Sequence, residues 1–165
     1  MGLTNSFAVS SVNQELICQS LGSKIVASGE CQGDFWIHVH GDDLVQTIEF
    51  LKTHPSLQFD SFVDLCGVDY LHRHPRFEVT THLYSQSQHH RIRIRCLVPD
   101  DTLTVPSLTP YWKGANWQER EAFDMYGIRF RGHPNLERIL SPPATEVFPQ
   151  RKDYPLKGER EPKEE

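Results

Sequence analysis

Three carboxylates, Glu119, Glu121 and Asp124, fall within one short stretch of this chain, with Arg120 among them and His133 downstream. Two carboxyl groups that meet across a cleft can divide general acid and general base chemistry between them. Carboxylates gathered with an arginine also form structural ion pairs, and the rest of the chain decides between these readings. It supplies no Gly-rich phosphate loop, no G-x-G-x-x-G dinucleotide fingerprint and no nucleophile elbow. Structural pairing is therefore the better reading, with Arg120 and Asp124 as an i,i+4 ion pair.

The nine histidines raise a metal question, above all at His38-x-His40, His72-x-His74 and His89-His90. Alternate residues on a strand share a face, so His38 and His40 could reach one zinc ion. A zinc site needs a third protein ligand that the spacing does not supply, and no metal is assigned. A stand-alone His-site metal hydrolase stays as a rival reading. Cys18, Cys31, Cys66 and Cys96 form no C-x-x-C pair, which leaves neither a zinc ribbon nor an iron-sulfur site. They read as reduced, mostly buried small hydrophobes. Arg91, Arg93 and Arg95 form a basic row on one strand face, suited to an acidic protein surface or to solvent.

The carboxylates need a helix, and the sequence punctuates one. Asn116 can cap it, Glu119 stands three residues later as in a capping box, and Gly127 follows Tyr126 where a left-handed C-terminal residue is wanted. The predicted helix runs over 117–126. Trp117, Arg120, Glu121 and Asp124 share one side, while Ala122, Phe123 and Tyr126 lie on the other with Glu119 among them. No single apolar stripe results, and such a helix is expected to touch protein on both sides.

Upstream, 12–21 reads as a helix with Val12, Leu16, Ile17 and Leu21 inward, ended by Gly22. Strands follow over 24–28 and 34–40 around a Gly29 to Gly33 turn. Asp42 is placed as the cap of an amphipathic helix carrying Leu44, Val45, Ile48 and Leu51, stopped by His54-Pro55. A strand over 59–70, broken at Gly67, precedes strands over 77–85 and 90–98, in which Phe77, Val79, Thr81, Leu83, Ile92, Ile94, Cys96 and Val98 alternate inward. Short connections make these three an antiparallel meander. Pro142, Pro143, Pro149 and Pro155 deny a long helix or central strand beyond Leu140. The fold expected is a single α+β domain over 1–140, a mostly antiparallel sheet with helices on one side. An extended, proline-containing tail follows over 141–165, charged and disordered from Lys157.

Residues 119–140 carry a specific pattern: Glu119-Arg120-Glu121, Asp124-Met125-Tyr126-Gly127-Ile128, Phe130, Gly132-His133-Pro134, Leu136 and Arg138-Ile139-Leu140. Preceded by Ala115-Asn116-Trp117 and followed by Arg151-Lys152-Asp153-Tyr154-Pro155-Leu156, it resembles the signature of the complex I 30 kDa subunit family. In bacteria that family is the C subunit of NADH-quinone oxidoreductase. Departures fall at Arg131, where the family commonly has an acidic residue, at Glu137, where it has a basic one, and through PPATEVFPQ, where Phe148 and Gln150 replace His and Leu.

The resemblance implies a non-catalytic subunit in the peripheral arm of the proton-translocating enzyme, on the cytoplasmic side of the bacterial inner membrane. It implies no cofactor in this chain, with FMN and iron-sulfur clusters in partner subunits. The implied partners are chiefly the D (49 kDa) and B subunits, which frame the quinone site. Trp117, Glu119, Arg120, Glu121, Asp124, Tyr126, Gly127, Gly132, His133, Pro134, Arg138, Arg151, Lys152, Asp153 and Tyr154 become the signature and the expected interface. Gly132-His133-Pro134 is expected to shape a turn. Homologous subunits of membrane-bound [NiFe] hydrogenase or formate hydrogenlyase complexes are the nearest alternative.

Size and charge agree with this. A chain of 165 residues, 38% hydrophobic, suits one core. Its net charge of -5 argues against a general nucleic-acid binder. No apolar run approaches the about 20 residues that span a bilayer. The N-terminus lacks the basic and apolar regions of a secretory signal, and Gly2 with Ser6 matches a myristoylation pattern only superficially.

Overall fold

The computed structural model describes residues 8–155; Gly2, Ser6, Leu156 and the charged end from Lys157 lie outside them. Helix α1 (Ser11–Leu21) starts at Ser10, whose hydroxyl accepts the Asn13 N–H, and stops at Gly22. A 3-10 turn over Gly22–Lys24 leads to strand β1 (Ile25–Cys31), which forms a hairpin with β2 (Asp34–His40). Helix α2 (Gly41–Thr53) then crosses to β3 (Ser61–Asp69), β4 (Phe77–Ser85) and β5 (His90–Val98). A short β6 (Thr104–Pro106), helix α3 (Ala115–Tyr126) and β7 (Arg129–Arg131) complete the order.

The main sheet has the strand order β1-β2-β5-β4-β3, antiparallel throughout except where β5 returns beside β2 in parallel. That pair needs a long crossover, and α2 supplies its helical part. The meander of β3, β4 and β5 agrees with the sequence reading. Register places Phe35, Ile37 and Val39 opposite Ile92, Ile94 and Cys96, and Phe77, Val79 and Leu83 opposite Val98, Cys96 and Ile92. Ile17 and Leu21 of α1, Leu44, Ile48 and Leu51 of α2 and Ala122 of α3 join this apolar face in one core. All three helices therefore cover the same side of the sheet.

Several local expectations change. Val12 is 72% exposed, because α1 buries only Ile17 and Leu21. The β1-β2 turn is tighter than expected, and Gly29 sits inside β1 beneath the Trp36 ring, 2.7 Å from where a Cβ would stand. His40, not Asp42, occupies the cap of α2; Asp42 and Asp43 lie in its first turn, facing the positive end of the helix dipole. Cys31 and Cys66 are exposed, and only Cys96 is buried.

Strand β3 runs unbroken through Gly67. The glycine is there for close approach: a Cβ would lie 2.6 Å from the Tyr126 ring of α3. Two turns earlier on the helix, the Gln118 side-chain oxygen accepts the Leu65 N–H at 2.5 Å, so α3 is bonded to the outer edge of β3.

Candidate functional site

The signature stretch folds around α3, which begins earlier than its sequence caps suggest. Gly114 occupies the cap position and makes no side-chain bond. The Ala115 and Asn116 N–H groups donate instead to the Trp112 and Lys113 carbonyls. Asn116 therefore does not cap, and Glu119 is released from the capping box. At the other end Gly127 takes the left-handed conformation expected, at φ 78°. A Cβ there would also meet Arg151 at 2.7 Å and Phe148 at 2.8 Å.

Glu119 is fully buried and serves the segment before the helix. Its carboxylate accepts the Ser107 hydroxyl at 2.6 Å, the Leu108 N–H at 2.6 Å and the Thr109 hydroxyl at 3.3 Å. Burial raises its pKa above the ordinary value, opposed by these donors, and no ion pair within 4.0 Å reaches it among the described residues. Gln at this position keeps one acceptor, and its amide can donate to the hydroxyls. Glu119→Gln is expected to change stability by no more than about 1 kcal/mol, whereas Glu119→Ala, stranding three donors, costs about 3 kcal/mol. Urea unfolding of the two variants checks the contrast.

Asp124, five residues further along the helix, is equally buried and serves the segment after it. It pairs with Arg138 at 2.6 Å and accepts the N–H groups of Ile139, Leu140 and Ser141 at 3.0, 2.8 and 2.8 Å. Burial alone would raise its pKa; the Ser141 N–H, Arg138 and the other two amides hold it well below the usual carboxylate range. The expected Arg120–Asp124 pair is thus replaced by Arg138–Asp124. Arg120 instead donates to the Glu137 and Arg138 carbonyls and lies over the Trp117 ring, 5.3 Å from its centre. The turn after β7 is closed by Gly132, at φ 85°, and by His133. His133 accepts the Asn135 N–H at Nδ1, which assigns its proton to Nε2 and makes Nε2 the donor to the Asn116 carbonyl.

The proline-containing segment packs on the domain as far as it is described. Arg151 donates to the Tyr126 carbonyl, the Lys152 N–H to Asp69, and Tyr154 N–H to the Arg151 carbonyl. Arg76 bridges Asp69 and Asp153 at 2.7 and 2.9 Å. Phe148 sits between two guanidinium groups, 5.1 Å from Arg138 and 4.4 Å from Arg151. This aromatic therefore stacks on cations at the place where the family pattern has His.

On the helix-free face, Glu78 is fully buried and bonded by Arg95 at 2.7 Å, Arg73 at 3.0 Å, His38 at 3.1 Å and the Thr80 hydroxyl at 3.1 Å. Burial would raise its pKa, and the two guanidinium groups bring it below normal. His38 is thereby used as a donor and His40 is exposed. Among the described residues no group of three or more His, Cys, Asp or Glu is placed to hold a metal ion. Arg93 donates to His82 and Arg91 to Asp34, so the predicted basic row is engaged within the chain. His90 is buried, stacked on Phe59 and bonded to the Leu57 carbonyl.

The structure thus brings Glu119, Arg120, Asp124, Tyr126, Gly127, Gly132, His133 and Arg138 together around one helix, joined by Arg151, Lys152, Asp153 and Tyr154. Glu121, Pro134 and Trp117, 61% exposed, remain on its surface. Glu119 and Asp124 face different segments and share no cleft, which removes the acid–base pair. Sequence reasoning missed Asp69, Arg76 and Glu78. The alternation of Glu78 among buried residues was the available signal, since a charge on an otherwise buried strand demands partners.

Fold and site define an α+β module whose ionisable groups serve to fasten segments to one another. The model of the respiratory-chain NADH dehydrogenase, 30 Kd subunit family matches residues 37–160. A C-type subunit of NADH-quinone oxidoreductase from Rhizobium etli, the second of that type by its name, is 47% identical over 148 residues, 90% of this chain and 79% of that protein. The NADH-quinone oxidoreductase C subunit of Roseiflexus castenholzii is 47% identical over 85% of this chain and 80% of its own length. A solved trypsin-resistant fragment of Nqo5 superposes with a TM-score of 0.66 at 26% identity, covering 75% of this chain and 98% of the fragment. A chain of an archaeal membrane-bound sulfane sulfur reductase shares the fold, with a TM-score of 0.72 at 19% identity over 88% of this chain and 87% of its own. The chain belongs to the respiratory-chain NADH dehydrogenase 30 Kd subunit family.

Proposed function

We propose that this chain is a non-catalytic peripheral-arm subunit of a proton-translocating NADH:quinone oxidoreductase. It supports the D (49 kDa) subunit beside the quinone site, with B as a further neighbour. FMN and the iron-sulfur clusters belong to those partner subunits. It sits on the cytoplasmic side of the inner membrane and meets the membrane through the complex. No described helix is long and apolar enough to cross a bilayer. The relatives named above support this reading over a hydrogenase-type or formate hydrogenlyase assembly.

The observation that carries the docking role is the state of α3. Its carboxylates fix the segments on both sides, yet Trp117 and, beyond the helix, Leu140 are 61% and 65% exposed. Large exposed apolar groups on a rigid support are what a protein interface requires. Truncation after Leu140 is a poor test, because it also removes the Ser141 N–H from buried Asp124. The Trp117→Ala/Leu140→Ser double variant leaves those bonds in place. Tagged full-length chain is expected to recover the D subunit from membranes of its own cells, and the double variant to recover at least about tenfold less. Equal recovery by both would remove this surface from the interface, and no recovery by either would remove the function proposed.

A further inference from the structure

We propose that the cleft at the start of α3 receives an acidic segment of a neighbouring subunit, a partner assignment that rests on the docking role above. The cleft measures about 710 Å³ and is walled by Pro110, Tyr111, Trp117 and Pro134, with Lys113 at its side. No carboxylate lines it, in a chain whose net charge is -5. Two cations flank the exposed indole without neutralisation. Lys113 is solvent-exposed, and its side chain makes no ion pair or hydrogen bond among the described residues. Arg120, over the Trp117 ring, donates from Nε and one Nη to two backbone carbonyls and makes no ion pair within 4.0 Å among the described residues.

The helix adds to the same sign. Its first turn holds no acidic residue and its cap Gly114 offers no side chain to the positive end of the dipole. Two carboxylates are bonded to residues of the cleft wall, and both are engaged: Glu49 accepts the Tyr111 hydroxyl at 2.8 Å, and buried Glu119 accepts the Thr109 hydroxyl at 3.3 Å. A trough that sets aromatic and proline walls beside the polar Thr109 and Asn116, with positive charge at its rim, is complementary to aspartate or glutamate interspersed with apolar or proline residues. Carboxylates delivered there gain both cations and lose water against the indole. Nucleic-acid phosphates would meet the same cations but also the net negative charge of the rest of the chain.

The test is photo-crosslinking in the intact complex, with p-benzoylphenylalanine at Pro134 in the cleft and, in a separate full-length chain, at Leu140. The Pro134 probe is expected to capture a peptide of another subunit in which acidic residues outnumber basic ones. Lys113→Glu should lower that yield about fivefold and Lys113→Arg should restore it. Capture of a neutral or basic peptide, of nucleic acid, or of nothing at Pro134 while Leu140 captures a subunit overturns the cleft assignment and leaves the docking role intact. Failure of both probes to capture any subunit overturns both. Because Pro134 and Lys113 are exposed, the variants are expected to fold, and far-ultraviolet circular dichroism of each purified chain verifies it.

Discussion

Asp124→Ala is expected to lower the stability of this protein by about 4 kcal/mol, the largest effect of any single side-chain truncation considered for this fold. The reason is what the substitution leaves behind. Three backbone N–H groups and the Arg138 guanidinium, whose side chain is only 10% exposed, lose their shared acceptor at once. For a domain of this size such a loss lowers the melting temperature by about 8–16 °C. Asp124→Asn keeps an acceptor oxygen but loses the charge, and should fall between the two. Chemical denaturation with linear extrapolation measures both, and an Asp124→Ala loss below about 1 kcal/mol would show that the 138–141 turn stands without its carboxylate.

The same group sets a pH dependence of known sign. Asp124 binds its proton less readily when folded than when unfolded, so its contribution is complete above the unfolded value of about 3.9 and is lost as pH falls through its folded value. Glu119 acts oppositely: its raised pKa favours the native state while protonated, and that contribution disappears as pH rises through the folded value. Asp124→Asn should therefore flatten the acid limb of a stability-against-pH curve, and Glu119→Gln should steepen it.

Glu78→Ala is the second large effect, expected to cost about 3 kcal/mol. It removes the one carboxylate that Arg95, Arg73 and His38 share, on a strand whose neighbours are buried. The value lies below that for Asp124 because Arg73 and Arg95, 35% and 21% exposed, can turn partly toward water. Glu78→Gln, which retains an oxygen for Arg95, should cost about half as much. Arg73 lies over the Tyr70 ring at 3.8 Å and anchors the turn between β3 and β4 through Glu78. Hydrogen exchange of the 71–74 amides should quicken in Glu78→Ala while the β5 amides stay protected. Unchanged exchange in that turn would detach it from the buried carboxylate.

Much of this was legible in the sequence where period and burial act alone. The alternation through β4 and β5 fixed which side chains face the core, and the stripe on α2 reappears as buried Leu44, Ile48 and Leu51. Gly127 was readable because a left-handed residue is a local demand. Partner choice was not, because the donors nearest Glu119 and Asp124 in space lie 10–17 residues away in the chain. The i,i+4 geometry favours Arg120 for Asp124, but three amides converging from one turn bring Arg138 with them and outcompete a neighbour on the helix surface. The parallel β2–β5 pair was hidden for a similar reason. Pairing depends on how the chain crosses over, and no residue in either strand encodes that path.

The bond between Gln118 and the Leu65 N–H has a bearing on self-association. Growth of a sheet by strand addition needs an open border at each end, so that every newcomer offers a fresh template. Here a helix side chain takes the Leu65 N–H on the β3 border of the main sheet, and among the described residues β1 forms the other border of that sheet. Pairing of the main sheet through β1 alone would end at two copies facing each other, since a longer ribbon needs the β3 border as its second seam.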